Sequence, residues 1–284
     1  MVCHVVIDRE CPYDFENQEK LPNHGDYLTN CLATICSTPL ASLATFFKEF
    51  LSLDGPCLIM SPVKIESGHN DSVISEEYSQ HTIDKDYLSD IFHACKEFLV
   101  ADGLCLHWIN GHYWLLEGSR ETPLCQAKPV QAMKHLSLFP EMQRLDEKSY
   151  WARLLTELQM LCNSHPATFN RQLQNLSIIN GVWLWGQAAM DLSKPVIHAI
   201  SDDPSWLDFH KNSNCLIKSW EFDTHNGKIS HVFLKDCDDE KLLQLELFNK
   251  KSDVIWHWND ISYCIKKQPW WQRCRGLKRK YKCT

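Results

Sequence analysis

The sequence predicts an α/β protein, with a mixed α+β N-terminal part and a C-terminal part that contains buried strands. Three features of the pattern support this fold class. Segments with apolar residues at helical spacing alternate with short apolar runs. Asn110-Gly111 separates two strand-like segments, as expected for a β-hairpin. Residues 182–185 and 195–200 are apolar on both faces, as are strands of a sheet that is covered on both sides.

Composition and cysteine usage favour a globular intracellular chain. Of the 284 residues, 44% are hydrophobic and 23% are charged, which is typical of a chain that can bury a core without disulfides. The 14 cysteines contain no CxxC pair and no regular spacing. No export signal is visible, and no segment reaches the about 18 apolar residues of a transmembrane helix. We therefore expect a cytoplasmic protein with no membrane span and with reduced, buried thiols.

The first predicted region, residues 1–120, mixes helices with antiparallel strands. A short strand opens it at 4–7, and the Ser37-Thr38-Pro39 cap predicts a helix that continues to residue 51. The segment 57–65 is predicted as a strand that Pro62 places at an edge or a bulge. A helix from Asp84 to the Asp102-Gly103 pair and a two-residue hairpin over 104–117 complete the region.

The second predicted region, residues 146–265, follows a linker over 121–145 that contains prolines and is weakly patterned. Its first helix begins at Asp146 or Ser149 and ends at His165-Pro166, because the residue before proline avoids helical φ and ψ. The helix, buried strand, loop and buried strand that follow are typical of α/β folds. The last segment, residues 266–284, is a basic tail.

Charge restricts the partners that the chain can take. The net charge is −7, although the tail contains eight basic residues and no acidic one. An acidic body repels phosphates, so contact with nucleic acid is possible only through the tail. Trp270-Trp271 lies among these charges, but a solvated end or contact with the acidic body explains the tail equally well. The basic tail residues are Lys266, Lys267, Arg273, Arg275, Lys278, Arg279, Lys280 and Lys282.

Motifs for metal, nucleotide and nucleophile chemistry are missing from the sequence. There is no GxSxG, no GxxxxGK[ST] and no GxGxxG. Cys31 and Cys36, or His107 and His112 across the hairpin, lack the second tight pair that a structural zinc site uses. The sequence therefore predicts no metal site and no cofactor.

A possible anion site lies near the end of the buried strand 182–185. Gly186 follows this strand, and α/β sheets bind ligands beyond the carboxyl ends of their strands. His165 and Arg171 precede it and could hold an anion, since arginine offers a bidentate fork. The alternatives are that His165 caps a helix, that Arg171 is solvated, and that Trp183 and Trp185 fill the core.

The central block of the sequence resembles the RpfE-type regulatory proteins of proteobacteria, many of which are labelled cofactor-independent phosphoglycerate mutases. It reads Glu157 to Leu161, His165-Pro166, Arg171 and Ile179 to Gly186, which resembles E-x-Q-M-L…H-P…R…I-N-x-x-W-x-W-G. Ser61 to Ile65 and Trp270 to Arg273 resemble the family's D-P-V-H-L and W-R-x-W-R segments. Lys64 replaces a common histidine, and Gln187 replaces a usual glycine. The candidate ligand-binding residues are Gln159, His165, Arg171, Asn180, Trp183, Trp185 and Gly186.

The tryptophan motif is also similar to a strand of archaeal-type phosphoglycerate mutases, so the resemblance implies part of the alkaline-phosphatase-like fold for the second half. That chemistry needs two metals held by Asp and His clusters and a Ser or Thr nucleophile. The sequence has Asp8-Arg9-Glu10 after its first strand and lacks Asp-x-x-Gly-His and Ala-Asp-His. We expect a non-catalytic regulatory protein that binds an unknown protein or a small anionic ligand. The alternatives are a phosphoglycerate mutase-like enzyme and a nucleic-acid binder that uses the tail.

Overall fold

The structure is a computed structural model that describes most of the chain. The described residues are 2–14, 20–36, 39–68, 71–79, 82–109, 113–190, 197–204, 206, 215–220, 229–248, 253–266 and 278–279. Their strands are β1 (Val2–Ile7), β2 (Tyr13–Asp14), β3 (Lys20–Leu21), β4 (Cys57–Ser67), β5 (Ser72–Glu77), β6 (Cys105–Ile109), β7 (Tyr113–Glu117), β8 (Gly181–Trp185), β9 (Ile197–Ser201), β10 (Cys215–Ser219), β11 (His231–Leu234), β12 (Asp253–His257), β13 (Ser262–Ile265) and β14 (Lys278–Arg279). Their helices are α1 (Tyr27–Ile35), α2 (Leu43–Phe50), α3 (Lys85–Val100), α4 (Val130–Met133), α5 (Phe139–Met142), α6 (Tyr150–Ser164), α7 (Pro166–Leu173) and α8 (Asp239–Phe248).

The chain forms two compact units whose boundaries differ from the predicted regions. The first unit joins Met1–Pro39 to Asp191–Thr284, and the second unit is Leu40–Met190. The division differs because β1 pairs with β11 and β12, which lie far along the chain. The predicted linker 121–145 lies inside the second unit, where it contains α4 and α5. The predicted α/β class is confirmed.

In the described part of the first unit, seven strands form one sheet in the order β10-β9-β11-β1-β12-β13-β3. Its strands from β10 to β12 are parallel, whereas β13 and β3 are antiparallel. Val5 and Ile7 lie in one apolar core with Leu242 and Leu245 of α8. His4 points to the opposite face because side chains alternate along a strand.

The second unit is centred on the long strand β4, which pairs antiparallel with β7, β8 and β5. Every residue of β8 is buried, as its apolar pattern predicted. The partner of β8 is β4, however, so β8 belongs to an antiparallel sheet with strands of the first predicted region. Pro62 lies in this central strand, close to an irregularity at Lys64/Ile65, so the prediction of a bulge fits better than that of an edge.

Local differences from the predicted elements have local causes. The stretch before Ser37 contains α1, which sequence reasoning did not predict; the Asp26 carboxylate caps it by accepting the Thr29 N–H. Helix α2 begins at Leu43, later than the Ser37-Thr38-Pro39 cap predicted, and Ser37 and Thr38 lie outside the described residues. Among the helices that the structure describes, none combines the length and apolar character needed to cross a bilayer.

Candidate functional site

A groove of about 360 Å³ opens in the second unit, between the ends of β4 and β5 and the helices α5 and α6. This volume lies in the range of about 300–1,000 Å³ that small-molecule sites occupy. Its lining, as far as the structure describes it, is mainly apolar and contains neither lysine nor arginine. The lining residues are Ile65, Ser67, Gly68, Asp71, Ser72, Leu138, Phe139, Met142, Leu155, Gln159, Val182 and Trp183.

The floor of the groove is made of buried apolar side chains on β8 and α6. Trp183 and Val182 are almost completely buried, and Leu155 is 5% exposed. The Trp183 indole is fixed in place because its Nε1–H donates to the carbonyl oxygen of Lys128 at 3.0 Å. A ligand in the groove therefore meets a rigid floor.

Gln159 provides an uncommitted polar group at the side of the groove. It lies on α6, is half-buried, and its side-chain amide has no hydrogen-bond partner among the residues that the structure describes. Gly181 lets β8 pack closely behind it, since a Cβ at this position would lie 2.6 Å from Ile65 Cδ1. The Gln159 amide can both donate a hydrogen bond to a ligand and accept one from it.

Asp71 provides a negative charge at the rim. Its Oδ1 accepts the Ser72 N–H at 2.7 Å. Hydrogen bonds from the Ser137 hydroxyl, and then from the Ser72 N–H, lower the pKa of the Asp71 carboxyl group. The carboxylate is ionised at neutral pH, and because none of the described lining residues is basic, the groove favours a positive or hydrogen-bond-donating group on a ligand.

Gly186 and Trp185, two of the predicted ligand-binding residues, make packing and hydrogen-bond contacts inside the second unit. Gly186 has φ +90°, and its carbonyl oxygen accepts the Ala44 N–H at 2.9 Å. A Cβ at Gly186 would lie 3.2 Å from Ala44 N and from Ile59 Cγ1, so this glycine allows α2 to approach the strand end. Trp185 is buried, and its Nε1–H donates to Ser61 Oγ at 2.9 Å.

His165 and Arg171 also make intramolecular contacts and do not line the groove. His165 ends α6 and caps α7, because its Nδ1 accepts the Ala167 N–H at 3.3 Å. The Arg171 Nε–H donates to the Ser177 carbonyl oxygen at 2.8 Å, and its guanidinium lies 4.6 Å from the centre of the Tyr87 ring. The predicted anion site at these residues has no supporting contact and stays a prediction.

The basic tail is described only in part. Lys266 is exposed, and the backbone of Lys278 and Arg279 pairs with β2. The other predicted tail contacts lie outside the described residues, so contact with nucleic acid stays a prediction. These are Lys267, Arg273, Arg275, Lys280 and Lys282.

Aspartates follow three parallel strands of the first unit, at the edge where such sheets bind ligands. Asp8 follows β1, Asp202 follows β9, and Asp236 follows β11. The Lys241 ammonium donates to Asp202 Oδ2 at 2.8 Å and to the Asp236 carbonyl oxygen at 2.6 Å. In the described part of this edge, no three His, Cys, Asp or Glu donors converge. These residues therefore do not fit a pair of metal ions, because a lysine already neutralises Asp202.

A row of histidines crosses the same sheet and was not predicted. His4 stacks on His231 with ring centroids 5.1 Å apart and on His257 with centroids 5.5 Å apart. His4 Nδ1 lies 3.2 Å from His257 Nε2, a distance that requires a proton on only one of the two nitrogens. The sequence shows only that His4, His231 and His257 each lie in a strand-like segment. That the three rings are neighbours depends on the order of the strands in the sheet.

Cys105, His107 and Glu117 form a second group that sequence reasoning missed. Their ligand-type atoms all lie within 4.8 Å of one another. Cys105 pairs directly with Glu117, and His107 lies two residues further along the same strand. The signal that could have revealed them is the Cys-x-His spacing on the hairpin, together with the correct register.

Comparison with known proteins gives only distant likenesses. No family model matches the sequence, and no curated protein matches it. A cofactor-independent phosphoglycerate mutase from Thermoplasma acidophilum is similar with a TM-score of 0.37 and 10% identity, over 98% of this chain and 92% of that chain. The PH0037 protein from Pyrococcus horikoshii is similar with a TM-score of 0.39 and 11% identity, over 93% of this chain and 87% of that chain. Likenesses at this level do not bear on function.

Proposed function

We propose that this chain is a ligand-binding protein of the RpfE type and that its groove takes a small organic molecule with an apolar body and a protonated amine. The observation that carries the proposal is that the free Gln159 amide and the Asp71 carboxylate line the same groove over an apolar floor. Ligand sites combine a mainly apolar lining with a few polar groups that orient the ligand. Here the two polar groups supply an acceptor, a donor and a negative charge.

The charge of the groove separates this proposal from the anionic ligand expected from Arg171 and His165. An anion near Asp71 would face a carboxylate with no compensating cation among the described lining residues, and like charges in one site repel. A protonated amine gains a charge-assisted hydrogen bond at the same position. A positively charged or neutral ligand is therefore favoured.

Several residues of the signature shared with RpfE-type proteins lie in or beside the groove. Gln159 and Trp183 belong to the most specific part of the signature, and both line the groove. Asn180 and Gly181 hold β8 against Ile65, which forms part of the wall. Gln187 departs from the family pattern and has a local role, because its Oε1 accepts the Cys125 N–H at 2.7 Å.

A phosphoglycerate mutase-like activity is the alternative, and it stays a prediction. The position of the aspartates at the carboxyl edge of the first unit is the feature that would suit it. The ion pair between Lys241 and Asp202 works against it, since this ammonium takes the place that a cation would need. We keep the non-catalytic regulatory role as part of the proposal, with ligand binding in the groove as its basis.

The proposal is tested by screening three sets of small molecules, which are amines, neutral compounds and carboxylates or phosphates of matched size. Binding is measured as a rise in the melting temperature and confirmed by calorimetric titration. We expect the hits to come mainly from the amines, because only they complement Asp71. A screen in which only anions bind would contradict the proposed ligand class.

Variants then locate the hits. Asp71→Asn should weaken amine binding by about tenfold, which corresponds to the loss of about 1.4 kcal/mol from one charge-assisted contact. Gln159→Ala should weaken all hits, whereas Arg171→Gln, outside the groove, should leave their affinities unchanged. If Asp71→Asn and Gln159→Ala bind every hit as the wild type does, the groove is not the site.

A further inference from the structure

The hairpin of β6 and β7 gathers three different metal-ligating side chains on one face. Cys105 and Glu117 are directly opposite each other in the pairing of the two strands. Directly opposed residues on antiparallel strands have Cβ atoms about 4.5–5.5 Å apart. His107 follows Cys105 by two residues and so points to the same face. The three ligand-type atoms lie within 4.8 Å of one another, and His107 Nε2 is 3.0 Å from Glu117 Oε2.

We propose that Cys105, His107 and Glu117 form a three-ligand site for a transition-metal ion, with zinc as the preferred ion. The set joins a thiolate, an imidazole and a carboxylate, all of which zinc accepts. Calcium and magnesium prefer oxygen ligands, so the thiol and the imidazole select against them. Water would complete the coordination, as it does in zinc sites that contain three protein ligands.

The geometry lets the donors close around an ion with small side-chain movements. Bond lengths of about 2.0–2.3 Å in a tetrahedral zinc site bring donor atoms to about 3.3–3.8 Å from one another. His107 Nε2 and Glu117 Oε2 already lie 3.0 Å apart, so only Cys105 Sγ needs to approach, by up to about 1 Å, which rotation of the exposed Cys105 side chain supplies. Binding replaces the thiol proton of Cys105 with the metal ion, and the proton leaves to solvent.

The backbone behind Glu117 supports the position of its carboxylate. Glu117 Oε1 accepts the Gly55 N–H at 3.5 Å, and the Gly118 N–H donates to the Pro56 carbonyl oxygen at 2.9 Å. A Cβ at Gly55 would lie 1.9 Å from the Gly118 carbonyl oxygen, so the close approach requires glycine. Hydrogen bonds of this kind to a ligand orient it and strengthen metal binding.

Accessibility makes the site open to exchange with solution. Cys105 is exposed, while the side chains of His107 and Glu117 are 33% and 21% exposed. An ion can therefore enter without unfolding of the hairpin. The same openness predicts exchangeable metal and not a permanently buried structural ion.

Cobalt(II) provides the direct test, because a cobalt–thiolate bond gives a charge-transfer band that other ligands do not give. Purified full-length protein is titrated with Co²⁺ under reducing conditions, and bound cobalt is then displaced with Zn²⁺. We expect the band to appear, to disappear on addition of Zn²⁺, and to be lost in Cys105→Ser. His107→Ala should lower zinc affinity by at least about tenfold. Loss of a residue that only hydrogen-bonds to a metal ligand already lowers metal affinity by about this factor, and loss of the ligand itself should lower it at least as much.

Two controls keep the assignment specific. Cys57→Ser removes a buried thiol on β4; this residue lies opposite Glu117 in the pairing of β4 with β7 but is outside the three-donor group. His93→Ala removes an exposed histidine of α3. Both should retain the band and the zinc affinity, with circular dichroism confirming that each variant is folded. A wild-type protein without the band, or a Cys105→Ser variant that keeps it, would overturn the proposal. Loss of the band in folded Cys57→Ser would also overturn the three-ligand set.

Discussion

The Asn180 side chain pairs with both backbone groups of Ile65. Its Nδ2–H donates to the Ile65 carbonyl oxygen at 2.8 Å, and its Oδ1 accepts the Ile65 N–H at 2.6 Å. The side-chain amide thus makes the two hydrogen bonds that the backbone of a further β8 residue would make with β4. The contact keeps Ile65 against the groove, so it joins the fold of the second unit to the proposed site.

Asn180→Ala should therefore destabilise the second unit. Both peptide groups of Ile65 would lose their partner in a half-buried position, so we expect the lower part of the about 1–3 kcal/mol that an unsatisfied buried polar group costs. Urea unfolding followed by circular dichroism measures this change. Gln172→Ala, on the exposed surface of α7, is the control and should change stability by no more than about 0.5 kcal/mol. Equal midpoints for the two variants would show that the Asn180 pairing contributes nothing.

Truncation of Trp185 in the tryptophan motif should cost much of the stability of the second unit. It is 1% exposed, so Trp185→Ala leaves a cavity and should cost about 3–5 kcal/mol. Trp185→Phe keeps most of the volume but loses the bond to Ser61, so about 1–2 kcal/mol is expected. Phe139→Ala is the control, since this side chain is 64% exposed. An unchanged denaturation midpoint in Trp185→Ala would refute its role in the core.

Glu77 predicts a pH dependence in the second unit. Burial raises the pKa of its carboxyl group, against the smaller opposing effects of Lys134 and of the Ser61 hydroxyl. A raised carboxyl pKa means that the folded state favours the protonated form, so stability is highest below the unfolded value of about 4.3 and is lost as the pH rises through the folded pKa.

Glu77→Gln removes this loss, because its amide stays neutral. The gain in stability of the variant over the wild type should be absent at pH 4 and should grow as the pH rises towards 7. Unfolding free energies measured across this range check the difference. Glu97→Gln, on the exposed face of α3, should follow the wild-type curve. A gain for Glu77→Gln that is independent of pH would contradict the role of its charge.

His257 predicts acid sensitivity in the first unit. Burial, followed by the charges of His4 and His24, lowers the pKa of His257 to about 3. The folded state therefore favours the neutral ring, and the stability that this gives is present above the unfolded value of about 6.5 and is lost as the pH falls below it. Between pH 7 and pH 5 the loss from this one residue is about 2 kcal/mol.

His257→Gln should be less stable than the wild type at pH 7, because it breaks the row with His4, but its stability should depend less on pH between 7 and 5. Denaturant unfolding at each pH, followed by the fluorescence of the buried tryptophans, provides the comparison. His93→Gln, on an exposed face, should keep the wild-type slope. If the free energy of unfolding depends on pH equally in His257→Gln and in the wild type, this histidine does not cause the loss of stability in acid.

Local sequence patterns predicted where helices and strands lie better than they predicted which strands pair with each other. Helix α3, helix α6 and the buried strand β8 follow from the spacing of apolar residues. The pattern of β8 shows that both of its faces are covered, but not whether its neighbours are parallel or antiparallel. Its pairing with β4 therefore could not be derived from Val182 to Trp185 alone.

The hairpin shows why site residues were missed. A two-residue turn at Asn110-Gly111 would pair Cys105 with Leu116, whereas the structure pairs Cys105 with Glu117. A shift of register by one residue moves side chains to the other face, so the predicted hairpin placed Glu117 away from Cys105. In contrast, two candidates from the signature block, Gln159 and Trp183, both line the groove, and their role in binding stays a prediction.

The most direct test of the central claim is a crystal structure of the protein with the tightest amine from the screen. We expect density for the ligand over Trp183, with its nitrogen within hydrogen-bond distance of the Asp71 carboxylate and with a polar atom bonded to the Gln159 amide. A ligand bound instead at Gly186 and Arg171, or in the first unit, with the groove empty, would contradict the proposed binding site.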